Sequence, residues 1–124
     1  PIVAAHSSEL PPGSALPFDA LGTPVVLTRD GEGAVRAFLN VCRHRGMALF
    51  SADRPAAART CASLVCPYHG WAYRLDGTLR HRPHAESFKI VKRRDRRRTC
   101  RLATPAQLIF PNTFIIWHPD WATS

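Results

Sequence analysis

The chain has 124 residues, 45% of them apolar, a size and composition that suit one globular domain with its own core. No apolar run approaches the roughly 20 residues of a membrane-crossing helix, and PIVAAHSSELPPG lacks the basic and apolar regions of a secretory signal. The net charge of +8 is uneven, because KRRDRRRTCR (Lys92 to Arg101) carries seven basic residues against Asp95 and leaves only +2 elsewhere.

Eleven prolines and seven glycines cut the sequence into short pieces, and no helical period lasts long enough to predict a helix. Residues 1–20, with Pro11, Pro12 and Pro17, read as an extended N-terminal arm, followed by a domain over 21–124. PVVLTRD and AVRAFLN flank the turn-rich DGEG, which is a hairpin signal. ALFSADRPAAART reads as a loop and CASLVC as a short apolar strand. WAYRL and TLR, joined at Asp76-Gly77, predict a second hairpin, and LIF-PN-TFIIWH offers one or two further strands. Many short strands separated by turns predict an all-β sandwich or small barrel, with no internal repeat.

Two stretches carry chemistry. NVCRHRGMAL holds Cys42 and His44, and LVCPYHGWAY holds Cys66 and His69. Both follow predicted strands, so rigid elements can present the two loops to each other. Two thiolates and two imidazoles can hold one zinc or one two-iron cluster. Zinc sites usually group like ligands, as C-x2-4-C and H-x3-5-H. Here each loop supplies one sulfur and one nitrogen, which suits a [2Fe–2S] centre with two cysteines on one iron and two histidines on the other. Gly46 and Gly70 follow the histidines, where a missing Cβ lets backbone amides approach the cluster sulfides. Thiolates committed to a metal point to a reducing, cytoplasmic compartment. Cys61 and Cys100 then remain as free thiols that pack as small apolar residues.

The paired motifs, C42-R-H44-R-G46 and C66-P-Y-H69-G-W-x-Y73, closely resemble the Rieske domain of aromatic-ring-hydroxylating oxygenase α subunits. The resemblance runs from about Gly22 to Phe88 and leaves the basic segment 89–101 outside it. It implies a Rieske-type fold of three antiparallel sheets, with the cluster at an end formed by two loops. Cys42 and Cys66 would bind the inner iron, and His44 and His69 the outer one. Arg45, Gly46, Tyr68, Gly70 and Trp71 would surround the cluster. The 21 residues between His44 and Cys66 are long for the family, so an insertion is expected near Ala56–Thr60. Respiratory Rieske proteins add two cysteines that form a disulfide beside the cluster; Met47 and Tyr68 occupy those positions here. They also place a serine after the second His-Gly, where this chain has Trp71. Fewer hydrogen bonds to sulfur place the potential near the low end of the Rieske range of about −150 to +300 mV. That suits reducing an oxygen-activating iron rather than oxidising quinol.

Each assignment has a plainer counterpart. The four candidate ligands can be zinc ligands or unrelated core residues. Tyr73 is expected as sheet core, and Trp71 as a shield between cluster and solvent. Arg43 and Arg45 are either solvated loop charges or groups that face an acidic partner. His81 and His84 are expected at the surface, and His118-Pro-Asp120 is too constrained for the facial triad of an oxygenase iron. The arginine-rich run is either a solvated segment or a dock for an acidic electron donor; interleaved aromatics that would favour nucleic acid are missing.

The expected function is electron transfer from a reductase or ferredoxin to a mononuclear non-haem iron. That iron would lie in a separate catalytic domain, often in a neighbouring subunit, because this chain is too short to contain it. The chain is then an oxidoreductase component without a catalytic iron site of its own. The alternatives are a free-standing Rieske ferredoxin and, in another class, a zinc-stabilised basic module that binds nucleic acid.

Overall fold

The computed structural model describes residues 3–20, 22–51, 57–84, 101–102, 106–110 and 113–116. Its strands are β1 (Ser14–Ala20), β2 (Thr23–Arg29), β3 (Val35–Leu39), β4 (Arg59–Thr60), β5 (Leu64–Val65), β6 (Ala72–Tyr73), β7 (Leu79–His81), β8 (Ala106–Phe110) and β9 (Thr113–Ile116). They form three antiparallel sheets, ordered β3-β2-β1-β4, β5-β6-β7 and β8-β9. A 3-10 turn at Ser7–Glu9 is the one helical element among the described residues. No helix there is long and apolar enough to cross a membrane. The all-β expectation holds.

The first sheet separates two cores, and the two-residue side-chain period of a strand explains how. Ala15, Val26 and Phe38 face one cluster, together with Leu64, Leu75, Tyr73, Trp71, Cys42 and Cys66. Their neighbours Leu16, Val25, Leu27 and Ala37 face another, closed by Leu10 and packed by Ala4 and Ala5. Val25 to Thr28 are therefore buried in succession. A strand covered on both faces reads as a continuous apolar run, as VVLT does. Each fully buried large side chain here is worth about 1.5–3 kcal/mol.

Both predicted hairpins form. At the β2–β3 turn the Asp30 carboxylate accepts from the amides of Glu32 and Ala34 and from Arg36, and Gly33 takes φ +90°. At the β6–β7 turn Asp76 accepts from the Thr78 amide and hydroxyl, and Gly77 takes φ +82°. The Thr28 hydroxyl donates to the Leu75 carbonyl at 2.8 Å in the buried space between the first two sheets.

Of residues 1–20, the described part, residues 3–20, does not form an arm outside the fold. From Ser14 they are a strand paired with β2 along its whole length and with β4 at Ser14 and Ala15. Pro17 is compatible with this because β4 stops at Ala15, so the outer side of β1 is unpaired beyond it among the described residues. The stretch read as a loop before Cys61 ends in β4, while 52–56, where the insertion was expected, lies outside the described residues. So do 85–100, which hold most of the basic run, and 117–124 with His118-Pro-Asp120. Arg101 and Leu102 are described. Leu102 is buried in the first core and its amide donates to the Gly77 carbonyl at 3.0 Å.

Candidate metal centre

The loops after β3 and β5 carry the four candidate donors, and they are the same turn built twice. The Gly46 amide donates to the Cys42 carbonyl at 3.0 Å, and Gly70 to Cys66 at 3.1 Å. The Cys42 amide donates to the Met47 carbonyl at 2.8 Å, and Cys66 to Trp71 at 2.8 Å. Each turn reverses through a glycine at positive φ, +73° at Gly46 and +68° at Gly70. A Cβ at Gly46 would meet nothing within 4 Å, and one at Gly70 only Pro83 Cγ at 3.6 Å. The backbone conformation, rather than crowding, explains both glycines here.

The turns sort the donors by depth. Cys42 and Cys66, first in each turn, have 1% and 2% exposure and sit in the core cluster. Both are free thiols. His44 is half-buried and His69 exposed, with ring centroids 4.7 Å apart in an edge-to-face arrangement. Burial pushes the Cys42 thiol up; the Tyr73 hydroxyl opposes this and the adjacent Cys66 adds to it. A buried thiol pair of this kind ionises when a metal supplies the counter-charge. Burial, His69 and the Arg45 guanidinium all push His44 below the usual histidine range, which favours the neutral, ligating imidazole. Paired deep sulfurs beneath paired shallow nitrogens fit a cluster that takes both cysteines on one iron and both histidines on the other.

Of the surrounding residues, Trp71 is buried and stacks parallel to His44, with centroids 4.9 Å apart and planes within 1°. Tyr68 touches the ring of His69 at 3.7 Å and is 54% exposed. Arg43, Arg45 and Met47 are exposed at the mouth of the site. His81 and His84 lie at the surface as expected, His84 with φ +54°. Cys61 is half-buried against the core.

Two residues of the site escaped sequence reasoning. Tyr73, expected as sheet core, is core and more: its phenol oxygen lies 3.4 Å from Cys42 Sγ and accepts from the Arg43 amide at 3.1 Å. A tyrosine rather than a phenylalanine at a fully buried strand position was the available signal. Asn40 accepts from the amides of Leu49 and Phe50 at 2.9 Å each and donates to the Phe50 carbonyl at 2.8 Å. It staples the start of the first ligand loop to its exit.

Positive charge is not confined to the basic run. Residues 1–41 hold two arginines against four acidic residues, whereas 42–84 hold seven arginines against Asp53 and Asp76. The polarity follows the site, since the ligand loops belong to the basic part.

Residues 1–95 match the family described as the Rieske [2Fe-2S] domain. The carnitine monooxygenase oxygenase subunit of Acinetobacter baumannii is 41% identical over 91 residues, which cover 70% of this chain and 24% of that protein. The biphenyl 2,3-dioxygenase subunit alpha of Rhodococcus jostii is 35% identical over 122 residues, 96% of this chain and 25% of that protein. That alignment continues well past Phe88. The crystal structure of a quaternary ammonium Rieske monooxygenase in complex with L-carnitine matches at TM-score 0.76 and 26% identity, over 96% of this chain and 32% of the other. The chain thus spans about a quarter of the length of these curated relatives. Between zinc and a two-iron cluster the match decides for the cluster: the chain belongs to the Rieske [2Fe-2S] domain family, is homologous to Rieske oxygenase α subunits, and has a Rieske-type [2Fe–2S] cluster as its cofactor.

Proposed function

We propose that Cys42, His44, Cys66 and His69 hold the cluster, and that the chain is the electron-transfer part of an oxygenase. The observation that carries this is the division of the four donors into a buried thiol pair and a shallower imidazole pair on two like turns. When bound, the cluster supplies one-electron storage at low potential. The protein's part is to keep the sulfurs in the core, to favour the neutral form of the His44 imidazole and to leave His69 at the surface. Arg43 and Arg45 ring that exposed edge with positive charge, which steers an acidic electron-donating reductase or ferredoxin to it. The acceptor is a mononuclear non-haem iron in a separate catalytic domain, in the same protein or a neighbouring subunit. Similarity to oxygenase subunits about four times longer supports this division of labour and weighs against a free-standing ferredoxin. One solved relative is described in terms of carnitine oxidation and inter-subunit electron transfer. Thiolates committed to a cluster at Cys42 and Cys66, with Cys61 unbridged, suit a reducing, cytoplasmic compartment.

Visible absorption and low-temperature EPR before and after dithionite test the proposal. A red-brown protein that bleaches and gains a signal on reduction is expected. Cys66→Ser should lose colour and signal, and Cys61→Ser should keep both. A colourless protein, or a cluster retained in Cys66→Ser, would overturn the ligand set.

A further inference from the structure

The two histidines are held differently. His69 is exposed; its ring meets Tyr68, its chain neighbour, which is 54% exposed, and the edge of the His44 ring across the site. His44 lies against a residue of the opposite loop. The Trp71 ring is parallel to it within 1° at 4.9 Å, inside the centroid range of offset-stacked aromatic pairs, about 4.5–7 Å. Trp71 cannot easily yield. It is 7% exposed, belongs to the core cluster with Cys42, Cys66 and Tyr73, and its carbonyl accepts the Cys66 amide that closes the second turn. Under the shared turn, Met47 occupies the position in the first loop that Trp71 occupies in the second. Met47 is 42% exposed and has no planar face to offer. Among the described residues, the stacked indole plane therefore lies on His44 and not on His69.

We infer that Trp71 is a positioning residue for His44: it clamps the plane of that imidazole from across the site, with no matching stacked plane on His69 among the described residues. The inference rests on the reading of both histidines as cluster ligands. The physical reason is the softness of the histidine side chain, whose second torsion is broad and two-fold. A ring free to turn about it points its nitrogen over a wide arc. A flat, buried indole against one face removes that freedom, and it does so through contacts that belong to the protein alone. Fixing a ligand through its surroundings is how neighbouring residues tune a metal centre. Beyond shielding the site from solvent, Trp71 thus makes the two imidazoles inequivalent, one preset and one adaptable.

The test compares Trp71→Ala and Trp71→Phe in the full cluster-bearing chain. Trp71→Leu, apolar but without a planar face, serves if the alanine variant does not fold. Leu64→Ala, a truncation in the same core, controls for lost packing. The first readout is carbethoxylation by diethylpyrocarbonate, resolved by peptide mass as the His44-to-His69 ratio. Removing the indole is expected to raise that ratio by about 2- to 10-fold, the factor by which one aromatic pair shifts a local equilibrium. Trp71→Phe should restore most of it and Leu64→Ala should leave it unchanged. The second readout is the pair of histidine-nitrogen hyperfine couplings of the reduced protein, of which one should move in Trp71→Ala and the other stay. An unchanged ratio in both Trp71→Ala and Trp71→Leu, or an equal rise in Leu64→Ala, would overturn the inference. Two fixed couplings in the tryptophan variants would do the same. A wild-type protein that lacks two nitrogen couplings would instead refute the ligand assignment, and the carbethoxylation ratio would still judge the clamp.

Discussion

The phenol oxygen of Tyr73 stands 3.4 Å from Cys42 Sγ and, at the same time, accepts from the Arg43 amide at 3.1 Å. With the amide at the oxygen, the hydroxyl proton is available to the sulfur. Burial, reinforced by Cys42, pushes the phenol above its ordinary range, so it keeps that proton. If Cys42 holds the cluster as proposed, this bond would strengthen as the centre gained negative charge on reduction. Tyr73→Phe is therefore expected to lower the reduction potential, by on the order of 50 mV for the loss of about 1 kcal/mol from a one-electron couple. Redox titration followed by EPR measures it. An unchanged or raised potential would show that the hydroxyl serves the backbone alone.

A second relationship fixes the β6–β7 turn beneath β3. A Cβ built on Gly77 would lie 2.5 Å from Phe38 Cε1, and Gly77 has φ +82°. Phe38 is fully buried and cannot swing into solvent. Gly77→Ala is expected to cost about 2–4 kcal/mol through combined overpacking and backbone strain. In a thermal scan that is a fall on the order of 10 °C for a domain of this size. Phe38→Leu, which trims the obstructing ring, should recover part of the loss in the double variant, although alone it destabilises.

What could be read from the chain and what could not divide along physical lines. The hairpins around Asp30-Gly31 and Asp76-Gly77 were legible because their turn residues act locally. Cys42, His44, Cys66 and His69 stand out as candidates because each short loop pairs one sulfur with one nitrogen donor. β1 was missed because Pro11, Pro12 and Pro17 are read as breakers, and only the β1–β4 pairing shows that Pro17 sits where proline is tolerated. The likeness of the two ligand turns was hidden by unequal spacing, C-x-H against C-x-x-H. The shared Cys-x3-Gly of Cys42 to Gly46 and Cys66 to Gly70 carried it. The contacts of Trp71 with His44 and of Tyr73 with Cys42 join segments far apart in sequence, by 31 residues for the second pair, so no local pattern announces them.

Acid should weaken the fold through two aspartates. The Arg36 guanidinium, 2.6 Å away, holds the Asp30 carboxyl below 3.8; the amides of Ala34 and Glu32 assist and burial opposes. Burial pushes Asp76 up, but bonds from Thr78 and the charges of Arg101 and Arg36 outweigh it, so it too is lowered from 3.8. With folded values below unfolded ones, the unfolded chain takes up protons first as pH falls. The stabilisation is complete above 3.8 and is lost as pH drops through the folded values. Asp30→Asn and Asp76→Asn should lower the urea midpoint at pH 6 and narrow its gap to the wild type in strong acid. A gap that stays constant across that range would remove both carboxylates from the account.

Asn40 is 6% exposed, and its amide group makes three bonds, all to the backbone at the exit of the first ligand loop. Asn40→Ala leaves two amides and a carbonyl of Leu49 and Phe50 without that partner, at a cost of about 2–4 kcal/mol. The loss falls on the segment that returns from Cys42 and His44 to the core, so it should show in the metal centre as well as in stability. Under a chelator the visible colour of Asn40→Ala is expected to bleach several-fold faster than that of wild type. Gly77→Ala is the proper comparison, because its expected loss of stability is similar while it removes none of the hydrogen bonds at the exit of the first loop. If both variants release the cluster at the same rate, retention follows global stability and Asn40 has no special hold on the loop. If Asn40→Ala alone is fast, the loop's own hydrogen bonds govern retention.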